Sequence, residues 1–187
     1  MNGKDYYWDE VSQKIGEVFL QNFSKDERIL EIGFSCGHFL EFLNENHYTN
    51  LVGIEIRRDQ FDKTKNMFLS KNLNIPLSNE DFFNITTKYD AVFSTGLIQC
   101  FSPEKRYNFI SHLSKIANKA VLTVPKLEKD RNLNSNQLIG VVGCKEYKTS
   151  NICYELSKHF RLVREGEFSV KNENSSEESF LYYVCKH

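Results

Sequence analysis

The stretch Arg28-Ile29-Leu30-Glu31-Ile32-Gly33-Phe34-Ser35-Cys36-Gly37-His38-Phe39-Leu40 is an apolar strand that ends on an acid, turns through two glycines and opens a helix. A strand feeding straight into a helix is the building unit of parallel sheets with helices on their faces. The turn also leaves room for a ligand, because Gly33 and Gly37 carry no side chains. A helix starting near Gly37 directs unpaired backbone N–H groups at that space, which suits a carboxylate or phosphate. Glu31 favours donors such as an ammonium group, and a ligand bearing an amino-acid zwitterion satisfies both.

The next apolar run, Asn50-Leu51-Val52-Gly53-Ile54-Glu55-Ile56, closes on a second acid. A carboxylate about 20 residues beyond a glycine turn, at the end of a second parallel strand, commonly accepts hydrogen bonds from ribose hydroxyls.

Periodicity organises the rest. Val11, Ile15, Val18, Phe19 and Phe23 predict an amphipathic helix over about 5–23, ahead of the first strand. A helix reaches about Glu45 after the glycine turn, and another runs from about Asp59 to Lys71. Asn74–Ser78 reads as a short strand in which Pro76 marks either a sheet edge or a strand start, and Tyr89–Ser94 as a buried strand. Pro103 and Glu104 open a helix to about Ala117, and Lys119–Val124 is a strand stopped by Pro125. Residues 126–143 are polar and irregular, Tyr147–His159 is a helix, and strands at Phe160–Val170 and Ser179–Cys185 flank a polar turn, as in a terminal antiparallel hairpin. The expected fold is therefore α/β, a mostly parallel sheet with helices on both faces and a C-terminal antiparallel hairpin.

At 187 residues the chain accommodates one domain, expected over 1–187 with 1–24 as an N-terminal helical extension. With 24 Lys and Arg against 25 Asp and Glu, it lacks the basic field that bulk nucleic-acid binding requires. Five scattered cysteines, without a C-x-x-C pair or metal-ligand spacing, read as reduced, mostly buried thiols and no metal site. The N-terminus has no apolar signal region and no run is long enough to span a membrane, so a cytoplasmic protein is expected.

Together these residues resemble the class I S-adenosylmethionine-dependent methyltransferases, from about Arg28 to Lys186. The resemblance implies a Rossmann-like, doubly wound sheet of seven strands. Of the family's acidic-x-Gly-x-Gly-x-Gly motif, Glu31, Gly33 and Gly37 match, and Ser35 replaces the middle glycine with Phe34 beside it. The resemblance puts the ribose-binding acid on Glu55, Ile56 against the adenine, and the acid near the adenine amino group on Asp81, with the Phe82 backbone alongside. Ser94, Thr95 and Gly96 begin the segment that borders the methionine moiety and acceptor, where Cys100 stands in place of a common His. The Asp/Asn-Pro-Pro-Tyr signature of enzymes acting on adenine or glutamine amino groups is missing.

The implied reaction is methyl transfer from S-adenosylmethionine to a small-molecule or sugar-like acceptor. A sulfonium methyl is already activated, so positioning matters most. Glu80, Gln99, His112 and Tyr147 are polar candidates for a base, and no spacing selects one; the catalytic residue stays open. Asp81 could instead cap a short helix holding Phe82 and Phe83, and Glu55 could cap the helix beside Arg57 and Arg58. Tyr6, Tyr7 and Trp8 read as either packing or a lid. Two rival functions remain: a methyltransferase-fold binding protein without turnover, and a nicotinamide-dependent oxidoreductase. Against the latter, Gly-Phe-Ser-Cys-Gly-His at 33–38 breaks the Gly-x-Gly-x-x-Gly pattern.

Overall fold

A computed structural model describes residues 3–126, 149–171 and 177–187, with side chains from 9 onward in the first helix and from 152 onward in the last. The order is α1 (Gly3–Asn22), β1 (Ile29–Ile32), α2 (His38–Glu45), β2 (Leu51–Ile54), α3 (Arg58–Ser70), β3 (Leu77–Ser78), β4 (Tyr89–Thr95), α4 (Pro103–Ile116), β5 (Ala117–Pro125), α5 (Thr149–Ser157), β6 (Arg161–Lys171) and β7 (Glu177–Lys186). Short 3-10 turns lie at Phe82–Asn84 and Ile98–Cys100.

These strands form one seven-stranded sheet in the order β3-β2-β1-β4-β5-β7-β6. The first five are parallel, and β7 runs antiparallel to both β5 and β6. Both faces are covered, which is why the central strands are apolar at almost every position. On one face Leu30, Val92, Ala120 and Leu122 pack under Phe109, Ile110 and Leu113 of α4 and Ile152 and Leu156 of α5. On the other, Ile29, Ala91, Phe93 and Val121 meet Ile15 and Phe19 of α1, Phe39 and Leu40 of α2, and Phe61 and Phe68 of α3. Phe39 stacks on Phe93 at 3.6 Å between centroids, and Phe19 meets both rings edge-on. Through Phe19 the N-terminal helix joins the core of the sheet; truncating a buried ring of this kind costs about 3–5 kcal/mol.

Three details refine the sequence reading, which left open the order of the two hairpin strands. β2 stops at Ile54 and β3 shrinks to two residues, because the chain turns away to build the site described below. The final hairpin forms, but the later strand is the inner one. Phe180, Tyr182, Tyr183, Val184 and Cys185 of β7 are buried, whereas Arg161, Arg164, Glu165 and Glu167 of β6 are exposed. The apolar strand therefore takes the interior place and the charged one the open edge, where charge discourages pairing with other chains. Third, Cys36, Cys100 and Cys153 are only partly buried and Cys185 alone is fully so, with no disulfide among the described residues. Residues 127–148, including Tyr147, Cys144 and the charged run beyond Lys126, lie outside the described residues, as do the side chains of Tyr6, Tyr7 and Trp8.

Candidate functional site

In the strand order the chain leaves β1 toward β2 on one side, then returns past β3 to place β4 on the other. Such a reversal opens a crevice at the C-terminal ends of the two strands, where the connecting helices diverge. The loop 33–37 lies across this crevice.

That loop has alternating left-handed backbone: Gly33 at φ 73°, Ser35 at 47° and Gly37 at 75°. The two glycines serve different ends. A side chain on Gly33 would meet only Leu97 Cδ2, at 3.8 Å, so its bare face opens on space. A side chain on Gly37 would run into Thr64 at 2.7 Å and Phe68 at 2.8 Å. Gly37 thus allows α2 to start against α3. Ser35 holds its left-handed backbone because both its peptide groups are bound. Its amide donates to Glu55 Oε2 at 3.0 Å, and its carbonyl accepts from Thr64 Oγ1 at 2.6 Å.

Glu55 is almost fully buried just past β2. Its second oxygen, Oε1, accepts from the amide of Arg57, the N-cap of α3, at 2.9 Å. The carboxylate therefore staples the glycine loop to the start of α3, and each oxygen retains a further lone-pair site for a ligand. Asn79, just after β3, donates to the carbonyls of Glu55 at 2.7 Å and Ile56 at 3.1 Å. This grip turns the chain out of β2 and leaves the Ile56 side chain 63% exposed on the rim.

Glu31 lies on the same face as Ile29, by strand alternation. It is buried, Oε2 has no partner, and burial together with the neighbouring Glu55 charge pushes its carboxyl up to about 8, with the Leu40 amide pulling back. Asp81 follows β3 and accepts from the Phe83 amide at 3.0 Å, capping the turn Phe82–Asn84. The Phe82 ring is buried against Phe109 and His112. Ser94 Oγ donates to the Ile32 carbonyl at 3.2 Å, tying β4 to β1; Thr95 ends β4, and Gly96 (φ 61°) donates its amide to Thr123. Glu31 near the end of β1, Glu55 just after β2 and Asp81 beyond β3 thus stand toward the C-terminal ends of three adjacent strands.

Two of the polar candidates are engaged elsewhere. His112 Nε2 is 2.9 Å from the Ile85 carbonyl, and Glu80 accepts from Ser78 Oγ at 2.6 Å. Buried polar atoms with no partner among the described residues are Glu27 Oε2, Glu31 Oε2, His38 Nε2, both amide atoms of Gln99, Thr123 Oγ1 and His159 Nε2; of these, Glu31 lies in β1, His38 starts α2, Gln99 follows β4 and Thr123 lies in β5. Leaving each bare costs roughly 1–3 kcal/mol, so such groups in a native fold signal a ligand or bound water. Asn79 and Thr64 had no distinguishing sequence signal, since each depends on contacts across elements. Among the described residues no His, Cys, Asp and Glu cluster could hold a metal, and no helix is long and apolar enough to cross a membrane.

A family model described as a methyltransferase domain matches residues 29–119. The EEF1A lysine methyltransferase 2 of Danio rerio is 33% identical over 98 residues, a stretch covering 49% of this chain and 42% of that relative, so the chain spans under half of its length. Among solved structures, magnesium protoporphyrin IX methyltransferase from Synechocystis PCC 6803 with bound S-adenosylmethionine superposes with a TM-score of 0.73 at 14% identity, covering 96% of this chain and 80% of that one. An S-adenosylmethionine-dependent methyltransferase from Clostridium acetobutylicum gives 0.70 at 14% identity, covering 96% and 91%.

Proposed function

We propose that the crevice over β1, β2 and β4 holds S-adenosylmethionine, the cofactor of the methyltransferases that this chain resembles in sequence over residues 29–119 and in fold, and that the methyl goes to an amine nitrogen on a protein. The observation that carries the cofactor assignment is the pairing of unpartnered Glu31 Oε2 with the bare face of Gly33 across one crevice. Glu31 takes the ammonium of the methionine moiety, which restores its charged form. Glu55 accepts from the ribose hydroxyls through its unused lone pairs, and exposed Ile56 covers the adenine face. Asp81 has one oxygen on its cap and offers the other to the adenine amino group, beside the Phe82 backbone. Phe34, Ser35 and Gly37 complete the loop, with Ser94, Thr95 and Gly96 flooring the methionine side.

Bound S-adenosylmethionine supplies a methyl already activated by the sulfonium charge. The protein's own residues then hold the donor by both ends, fix the methyl over the end of β4 and exclude water, so that an acceptor needs only alignment. An amine suits this arrangement: once its ammonium form has lost a proton to water, it attacks through the freed lone pair and needs no base during the transfer itself. The relative that acts on a lysine of EEF1A supports a protein as its bearer.

The test is transfer from methyl-tritiated S-adenosylmethionine into an extract of the source cells by the purified chain. Label in acid-precipitated protein, recovered as methyllysine after hydrolysis, is the expected result. Label in the ultrafiltrate alone returns the acceptor to the small-molecule or sugar-like class expected from the sequence.

A further inference from the structure

We propose that Gln99 is the acceptor-positioning residue: its side-chain carbonyl takes an N–H of the incoming amine and turns the nitrogen lone pair toward the donor methyl. This rests on the methyl-transfer reading above and adds the group that selects the acceptor atom.

Gln99 sits in the turn Ile98–Cys100, immediately beyond β4, and is 3% exposed. Neither Oε1 nor Nε2 has a hydrogen-bond partner. A buried carboxamide with both ends bare is rare in native folds and points to a polar group supplied from outside. Its location is constrained from two directions. Nε2 lies 3.3 Å from where a side chain on Gly96 would begin, and the Gly96 amide is held by the Thr123 carbonyl at 3.1 Å. Thr123 sits opposite Thr95 in the β4–β5 register, and its own hydroxyl is buried and unpartnered. One carboxamide and one hydroxyl thus flank the C-terminal ends of β4 and β5. Leu97, between them and the loop, is the residue that faces Gly33.

The chemistry of a carboxamide narrows the acceptor. It orients a donor and an acceptor at fixed geometry but is neutral and takes up no proton. A hydroxyl nucleophile must lose its proton as it attacks, whereas a neutral amine attacks with its hydrogens in place. As the nitrogen lone pair forms the new N–C bond, the methyl–sulfur bond breaks and its electron pair stays on sulfur as a neutral thioether. The surplus proton then leaves the methylated nitrogen for water.

The test uses the full chain and Gln99→Leu, with Gln99→Asn as a shortened amide. Three quantities are read: S-adenosylhomocysteine affinity by calorimetry, the thermal midpoint, and tritium incorporation into extract protein. Gln99→Leu is expected to bind S-adenosylhomocysteine within about twofold of wild type, to melt no lower, and to lose about tenfold or more in incorporation; Gln99→Asn is expected to fall between. Unchanged incorporation overturns the proposal, and so does an equal fall in cofactor affinity, which would make Gln99 a cofactor ligand. If the wild-type chain binds S-adenosylhomocysteine but labels nothing, the methyl-transfer reading fails first and takes this one with it.

Discussion

The amide of Ser35 lies 3.0 Å from Glu55 Oε2, so the carboxylate at the end of one strand fixes the backbone of the loop that follows its neighbour. A single side chain thereby shapes two walls of the crevice. Replacing it by Ala releases both the Ser35 and Arg57 amides and, in the proposed cofactor pose, removes the ribose contacts. We expect Glu55→Ala to weaken S-adenosylhomocysteine binding by about 1.5–3 kcal/mol, read by calorimetry on protein whose far-ultraviolet spectrum is unchanged. Affinity equal to wild type would remove Glu55 from the site.

Gly33 and Gly37 separate binding from stability. Gly33→Ala puts a methyl into the open crevice, and its left-handed backbone adds about 1–2 kcal/mol of strain. The expected result is a large loss of cofactor affinity with a modest fall in thermal midpoint. Gly37→Ala carries similar strain and also collides with Thr64 and Phe68, so its melting should fall further than that of Gly33→Ala. The reverse order of melting temperatures would contradict this division.

Glu31 makes stability depend on pH. Its carboxyl lies near 8 in the folded chain against 4.5 in an ordinary environment, because burial and then Glu55 disfavour the charge. Between those values the folded state holds a proton that the unfolded state has released. Stability is therefore fully present below about pH 4.5 and declines by about 1.4 kcal/mol per unit as pH rises toward 8, through this group alone. Glu31→Gln should flatten that part of the curve in urea melts from pH 5 to 8.5; an identical slope in both proteins would show that Glu31 does not titrate there. Cofactor binding at pH 7 should also release protons, since an ammonium draws the carboxyl back to its charged form. Titration heats that do not vary with buffer ionisation enthalpy would argue against that contact.

Ser35 occupies a left-handed position where glycine fits without strain. Ser35→Gly should raise stability by about 0.5–1 kcal/mol in chemical denaturation, the relief of strain being partly offset by the freer unfolded chain. A loss of stability would mean that the serine side chain contributes more to the loop than its backbone costs.

Much of this architecture is legible in the sequence because strand-turn-helix units declare themselves locally. The run Ile29–Ile32 with Gly33 and Gly37, the acid at Glu55 and the Pro103 helix start each carry their signal within a few residues. Long-range choices do not. Which hairpin strand enters the sheet was decided by competition between apolar β7 and charged β6, and Gly37 owes its place to Thr64 and Phe68, far along the chain. Glu55 and Asp81 show why competing readings of one residue need not exclude each other: each binds a backbone amide at a helical start and still carries lone pairs that this bond does not use. Gln99 appeared in the sequence only as one of four polar candidates; its bare amide is visible only once the fold closes around it.

The most direct measurement is a crystal structure of the chain with S-adenosylhomocysteine. The account predicts ribose hydroxyls on the Glu55 carboxylate, adenine over Ile56 and the ammonium within hydrogen-bond distance of Glu31 Oε2. A ligand bound with its ribose away from Glu55, or outside the crevice between β1 and β4, would contradict it.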